Sequence, residues 1–290
     1  MFLTPYINRF FAGRPPHPPR DPETSAGPKT VVVPRIPQDI IEEILDHLAS
    51  DSNSTFFLRS CSCVSKLWVQ PSRRHLFHTI YFNLQDMSRW LRVFPVREQS
   101  PAHHVRELHL ILLGHRDYAP PREFFGRIRG FANLKKIVVV ENETHQTSWI
   151  PWLVGLPKSP TSLTISADSI TVPEIRDIMV QLPNLNNLSL WGPLRATDRS
   201  ELQGIGSALR GKFGGHLHIG RLNRSSDDSD LMNMLLEVPT GLHFTQIHVY
   251  CWGDCLSSIT RLAEACSNSL VKLIYSVKNQ GKSPPFFLSS

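Results

Sequence analysis

The sequence predicts an α+β protein in two unequal parts. A small three-helix unit occupies residues 34–82, and an α/β solenoid of parallel strands follows over 83–277, with about seven to eight repeats of 25–30 residues. Two observations predict this. The first is a recurring apolar-x-x-apolar-x-apolar segment, complete or nearly so, centred on residues 80, 108, 137, 163, 188, 217, 247 and 273, at gaps of 28, 29, 26, 25, 29, 30 and 26. Unrelated strands would not keep so even a beat, and one strand plus one helix at this period is how a stacked-repeat architecture reads in sequence. The second is a change of period before the first of these segments, where apolar residues fall in helical steps.

Residues 1–33 hold Pro5, Pro15, Pro16, Pro18, Pro19, Pro22 and Pro28. Such a stretch is expected to be an extended, disordered tether, with PPHPP a candidate ligand for a proline-binding domain. Pro5, Asn8 and Arg9 interrupt any apolar run at the N-terminus, so a secretory signal is not expected; the arginines before Asp21 leave a mitochondrial presequence as an alternative. No run of 18 apolar residues predicts a membrane span. Five cysteines, an odd number, suit reduced thiols and a cytoplasmic or nuclear setting. The net charge is +6, but residues 1–35 carry five basic and two acidic residues, so half of the excess sits in the tail. The remainder, spread over 255 residues, is no footprint of nucleic-acid binding.

From Ile36 to Phe82 the chain reads as three short helices. Ile40, Ile41, Ile44, Leu45 and Leu48 form one broad apolar face, Pro37 suits the first turn, and Asp39, Glu42 and Glu43 complement the positive end of the dipole. Thr55 is placed to cap a second helix carrying Phe57, Leu58, Cys61 and Val64, and Ser65 a third carrying Trp68, Leu76 and Phe77. About 45 residues bury little surface alone, so the unit wants a neighbour, and apolar residues left on its surface would form a docking face. The pattern Ile36-Pro37-x-Asp39-Ile40-x-x-x-Ile44-Leu45-x-x-Leu48, then Leu58-x-x-Cys61-x-x-Val64-Ser65-x-x-Trp68, then Leu76-Phe77, resembles an F-box, and most of all the F-boxes of fungal proteins. It departs at Ile36, where the family commonly has Leu, and at Asp39, where Glu is usual. The resemblance implies docking onto the adaptor of an SCF-type (cullin–RING) ubiquitin ligase. Pro37, Ile40, Ile41, Ile44, Leu45 and Leu48 would lie at that interface, while Leu58, Val64, Trp68, Leu76 and Phe77 would either join it or hold the helices in place.

Helices are expected between the strands at Ser88–Phe94, Pro121–Phe131, Trp149–Leu156, Val172–Leu182, Ser200–Phe213, Asp230–Val238 and Cys255–Cys266. Pro173 and Pro183 punctuate one of them, and Asp230 and Pro239 another. The repeats resemble degenerate leucine-rich repeats of the kind that follow fungal F-boxes. The Asn or Cys that follows the strand in regular repeats is largely replaced, with Gly114, Glu141 and Gly192 near that position. A doubly wound α/β sheet is the competing architecture. The C-terminal tail, 278–290, ends in PPFFLSS, whose phenylalanines can pack back on the last repeat.

In a curved parallel sheet the outer residues of each LxL face the core and the middle one faces the open side. That middle column reads Tyr81, His109, Val138, Thr164, Ser189, His218, His248 and Ile274. Two residues later come Asn83, Ile111, Val140, Ser166, Trp191, Gly220, Tyr250 and Ser276; two residues earlier come Thr79, Glu107, Lys136, Ser162, Asn187, His216, Gln246 and Lys272. Trp191, His218, His248 and Tyr250 are the expected contacts for a protein substrate, because large amphipathic side chains anchor interfaces. His218 and His248 should stand about one strand spacing, roughly 5 Å, apart, with His216 on the same face; a zinc site would need further ligands that the sequence does not supply. The spacing Cys251-x-x-x-Cys255 likewise lacks the second pair of a structural zinc site. No GxGxxG, GxxxxGK[ST], GxSxG or HExxH pattern is present, and no cofactor is expected.

These readings converge on a non-catalytic protein. The F-box resemblance implies the substrate-recognition subunit of a ubiquitin ligase, with the adaptor and, through it, cullin as partners, a protein substrate on the repeats, and neither nucleic acid nor membrane. An adaptor-bound scaffold without ligase role, and an α/β enzyme using the histidine-rich face, are the alternatives.

Overall fold

The computed structural model describes residues 36–288 apart from 52–53, 97, 99, 113–121, 142–152, 154–155, 168–169, 193, 195–203, 212, 223–226, 252–255 and 278–286. Three helices come first, α1 (Gln38–Ala49), α2 (Ser54–Ser62) and α3 (Lys66–Leu76). Eight strands follow: β1 (Thr79–Phe82), β2 (Glu107–Leu112), β3 (Lys136–Glu141), β4 (Ser162–Ser166), β5 (Asn187–Trp191), β6 (Phe213–Leu222), β7 (Leu242–Cys251) and β8 (Lys272–Val277). Helices between them are α4 (Leu84–Val93), α5 (Arg122–Ile128), α6 (Val172–Gln181), α7 (Asp227–Leu236) and α8 (Leu256–Ala265), with 3-10 turns at Pro101–His104 and Ile205–Ala208.

The eight strands form one open parallel sheet whose spatial order is their order in the chain. A doubly wound sheet reverses its strand order at a switch point and covers both faces with helices. Here neither holds. Along β2, β3 and β4 buried residues alternate with half-buried ones, so one face meets the core and the other stays open. Ile80, Leu108, Ile137, Leu163, Leu188, Leu217 and Ile247 are buried as one inward row, as are Phe82, Leu110, Val139, Ile165, Leu190, Ile219 and Val249 as the next. Helix residues such as Met87, Phe124, Ile128, Ile175, Ile178, Leu231, Leu235, Ile259 and Leu262 close over them in one continuous core.

The register is the one the repeat spacing predicts. Tyr81 pairs with His109, His109 with Val138, Val138 with Thr164, Thr164 with Ser189, Ser189 with His218, His218 with His248 and His248 with Ile274. The 30-residue step between β6 and β7 is absorbed by a bulge: Gly215 faces Phe244 and His216 faces Gln246, so Thr245 is the extra residue. Its hydroxyl donates to the Gly215 carbonyl at 3.0 Å. At the far edge Phe287–Leu288 adds a short antiparallel strand, β9, along Leu273–Ile274 of β8. The tail thus does return to the last repeat and pairs with backbone groups of that edge.

Three local expectations are corrected. Asn83 is not an open-face strand residue: its side chain accepts from the Asp86 N–H at 2.9 Å and caps α4, which therefore starts four residues before the predicted Ser88. Asp230 does not cap its helix, because α7 already begins at Asp227. The stretch expected to be helical at Ser200–Phe213 is, among its described residues, only the 3-10 turn after Gly204. α6 gains a stronger start than Pro173 alone implied. Thr171 and Glu174 form a reciprocal capping box, the Thr171 N–H donating to Glu174 Oε2 at 2.8 Å and the Glu174 N–H to Thr171 Oγ1 at 3.3 Å. The helix expected at Trp149–Leu156 lies largely outside the described residues.

Inward and outward residues of one strand should differ sharply in their effect on stability. Leu188→Ala removes a buried side chain and is expected to cost about 3 kcal/mol, whereas Ser189→Ala, one residue along on the open face, should stay within about 0.5 kcal/mol. Chemical denaturation of the two variants checks this; equal losses would mean that the two faces are assigned wrongly.

Candidate functional sites on the helical unit and the open sheet face

The helical unit has its own small core. Ile41 and Leu45 of α1 and Leu58 of α2 are buried together, with Leu48, Ala49, Cys61, Trp68 and Leu76 packed around them. Helical geometry then divides the apolar face of α1. Ile41 and Leu45, four residues apart, point inward, while Ile40 and Ile44 fall on the adjoining stripe and remain exposed, at 42% and 39%, as does Ile36 just before the helix. Val64, at 67%, Leu67 and Phe57 are also exposed on α2, α3 and the turn between them. Pro37, exposed, holds the N-cap position of α1.

The structure divides the residues expected at the interface. Ile41 and Leu45 are internal, and Leu58 is buried with them, in the holding role that was one of the two open to it. Leu48, Trp68 and Leu76 are half-buried against the same core, so they hold the helices together. Phe77 belongs to the other core: it packs edge-on against Trp90 with ring centroids 6.4 Å apart. Of the residues singled out, Pro37, Ile40, Ile44 and Val64 are exposed. Leu67, one residue before Trp68, was missed; its place next to a recognised landmark gave no sign of which way it points.

Two features join the unit to the sheet. α3 packs against the 3-10 turn at Pro101–His104, and Pro71 and Ser72 within α3 are buried. Phe77 continues through Trp90 to Phe82, 5.3 Å away, and from Phe82 to Phe124, 4.8 Å away. On the outer side Arg74 pairs with Asp46 at 2.8 Å and with Glu42 at 3.7 Å, and His75 lies 2.8 Å from Asp46. Exposed pairs of this kind contribute little individually. His104 sits where unit and sheet meet: burial, then His103, Arg73, Arg74 and Arg106 around it, push its pKa down to about 4.

On the open face of the sheet, Trp191, His218, His248 and Tyr250 do come together. Trp191 and His218 stack with centroids 4.2 Å apart and planes tilted by 34°. His218 stacks on Tyr250 at 5.4 Å and 26°, and reaches His248 at 5.7 Å. Trp191 stands 37% and Tyr250 40% exposed, so the stack is half open to a partner. Gly220, between them in register, makes room: a Cβ there would stand 2.5 Å from Trp191 Cε3 and 2.7 Å from Cζ3. The indole thus lies across the neighbouring strand where any side chain would block it. Gly192, which follows Trp191 at φ 115, is equally required, since a Cβ there would run into the Ala167 carbonyl.

A second pair, Tyr81 and His109, stacks at 4.3 Å over β1 and β2. Burial lowers the pKa of His109, outweighing Glu107 at 3.6 Å. Burial also lowers His218, helped by His248, and lowers His248, helped by Lys272 and His216. Among the described residues no three or more His, Cys, Asp or Glu are grouped to hold a metal ion. Cys61 is half-buried in the helical core, Cys63 is exposed, and Cys266 is buried, its thiol pKa raised by that burial. The Cys251–Cys255 spacing ends outside the described residues. No described helix is long and apolar enough to cross a membrane.

Compared with known proteins, the chain matches no family, and no curated protein matches it in sequence.

The histidines set a pH dependence. His104, His75, His109, His218 and His248 all have folded pKa values below 6.5, their ordinary value. The unfolded chain then binds more protons as pH falls below 6.5, and acid favours unfolding. Stability should be fully present above pH 6.5 and decline towards pH 4, the window set by His104. His104→Gln should flatten the lower part of this decline in urea titrations at stepped pH; an unchanged slope would remove His104 as its source.

Proposed function

We propose that the chain is a non-catalytic receptor subunit, an F-box-type protein. Its helical unit docks on the adaptor of an SCF-type ubiquitin ligase, and its leucine-rich-repeat-like sheet binds a protein substrate. The observation that carries the reading is the exposed pair Ile40 and Ile44, with Ile36 exposed just before the helix, on a helix that already has its own core residues in Ile41 and Leu45. Ile40 and Ile44 lie outside the buried cluster of the unit. They suit a partner that buries them. The F-box-like landmarks over residues 36–77 name the kind of partner. The stacked aromatic and histidine side chains on the open face supply the second contact. The function then follows from proximity: a substrate held on the sheet is presented at high effective concentration to the ubiquitin-loading machinery carried by the cullin.

The exposed and buried residues of α1 separate binding from folding. Ile40→Ala combined with Ile44→Ala should weaken adaptor binding tenfold or more, as expected when two isoleucines lose burial of order 1.5–3 kcal/mol each, and leave the melting temperature unchanged. Ile41→Ala should lower the melting temperature. The assay is capture of purified adaptor, alone and then with cullin, by the full chain. Undiminished capture by the double variant would sink the proposed face, and capture of adaptor without cullin would assign a scaffold role instead.

A further inference from the structure

The open face changes character along its length. Over β1 to β3 it carries Glu107, held between Lys136 at 3.4 Å and His109 at 3.6 Å. Over β4 to β8 the outward residues are Ser162, Thr164 and Ser166; Asn187, Ser189 and Trp191; His216, His218 and Gly220; Gln246, His248 and Tyr250; and Lys272, Ile274 and Ser276. No carboxylate stands among these described residues. Among the described strand residues, the titratable groups that face this half are His216, His218, His243, His248, Tyr250 and Lys272. Those outward positions of β4 and β5 hold none, and the helices pack on the opposite, core-facing side.

We propose that the β4–β8 half of the open sheet face is a docking site for an acidic peptide segment that carries an aromatic side chain. The inference rests on reading the sheet face as the substrate surface. Its chemical class comes from two arrangements. At the C-terminal ends of the strands, Trp191, His218 and Tyr250 stack into a half-exposed aromatic cluster, which a further aromatic side chain can extend. Towards the N-terminal ends, His216 and Lys272 are exposed with Gln246 between them in register. Four residues separate His216 from the Trp191–Gly220–Tyr250 row, about 13 Å along a strand. An extended peptide spans that distance in about four residues, so a ring at one end and carboxylates at the other reach both groups.

Charge complementarity also excludes the nearest rival occupant. The chain's own residues 1–35 carry Arg9, Arg14, Arg20, Lys29 and Arg35 against two acids, and the described outward residues of β4–β8 offer those cations no carboxylate. An acidic ligand meets the opposite situation. Lys272, exposed at the N-terminal end of β8, faces such a ligand with no carboxylate beside it among the described outward residues.

The test uses the full chain and four synthetic 12-residue peptides. One contains Asp, Glu and Ser around a single Phe. In the second the acids are replaced by Gln, in the third by Lys, and in the fourth the Phe of the acidic peptide becomes Ala. Calorimetric titration should show the acidic Phe peptide binding at least tenfold tighter than the Gln and Lys peptides and at least fivefold tighter than the Ala peptide. Trp191→Ala and Lys272→Glu, with circular dichroism confirming the fold, should each weaken that binding at least fivefold. Equal or tighter binding of the Lys peptide overturns the proposal; if Trp191→Ala then abolishes that binding, the face remains a docking surface and only the acidic class is wrong. Failure of every peptide to bind overturns both, and adaptor capture, measured separately, is unaffected by either result.

Discussion

Parallel pairing in unbroken chain order is the constraint on which the rest depends. A parallel ladder spaces its strands by about 4.8 Å and alternates side chains with a period of two. Once Leu108 packs inward, Leu110 must do so as well and His109 must face out. The same holds for every strand added in register. A slip of one residue would bury His218 and His248 and expose Leu217, Ile219, Ile247 and Val249. The apolar rows therefore fix the position of every open-face residue without those residues having to contribute to the core. Where a repeat is one residue too long, the bulge at Thr245 takes up the excess and returns Leu217 and Ile247 to opposite positions.

That separation explains what could be read in the sequence and what could not. The eight strands, their order and the pairing of Trp191, Gly220 and Tyr250 were legible, because a period of two superimposed on a period of 25–30 leaves little freedom. The stacking of Trp191 on His218 was not, because it depends on ring tilt and on Gly220 lacking a Cβ. Helix starts were misjudged where a polar residue had two possible roles. Asn83 continues the strand pattern of β1 in spacing, yet its carboxamide is worth more at the end of α4, where it satisfies an otherwise orphaned N–H.

In the helical unit the limit was different. Five apolar residues within nine positions, from Ile40 to Leu48, make a face broader than one core contact can cover. Sequence periodicity gives that breadth but not the line dividing inside from outside. The line is drawn by the partners of α1: Leu58, Trp68 and Leu76 pack with Ile41 and Leu45, and Ile40 and Ile44 stand outside that cluster. Only the packing of all three helices could show that half of the expected interface is the unit's own core.

The junction between the two parts bears on the proposed mechanism. Presentation of a bound partner to a distant reaction centre works only if the two binding faces keep a fixed relation, since a loose joint spreads the partner over many orientations and dilutes its effective concentration. Here the C-terminal end of α3 enters β1 with only Phe77 and His78 between them. Phe77 is packed on Trp90, and α3 also leans on the turn that carries His104. A two-residue connection flanked by buried aromatic contacts on one side and buried Pro71 and Ser72 on the other is built as a brace and not as a hinge. The arginines and histidines gathered there have a consequence as well. Each proton taken up by His104 adds positive charge beside Arg73, Arg74 and Arg106, so acid near pH 4 strains the brace, while the apolar rows of the sheet contain nothing to titrate.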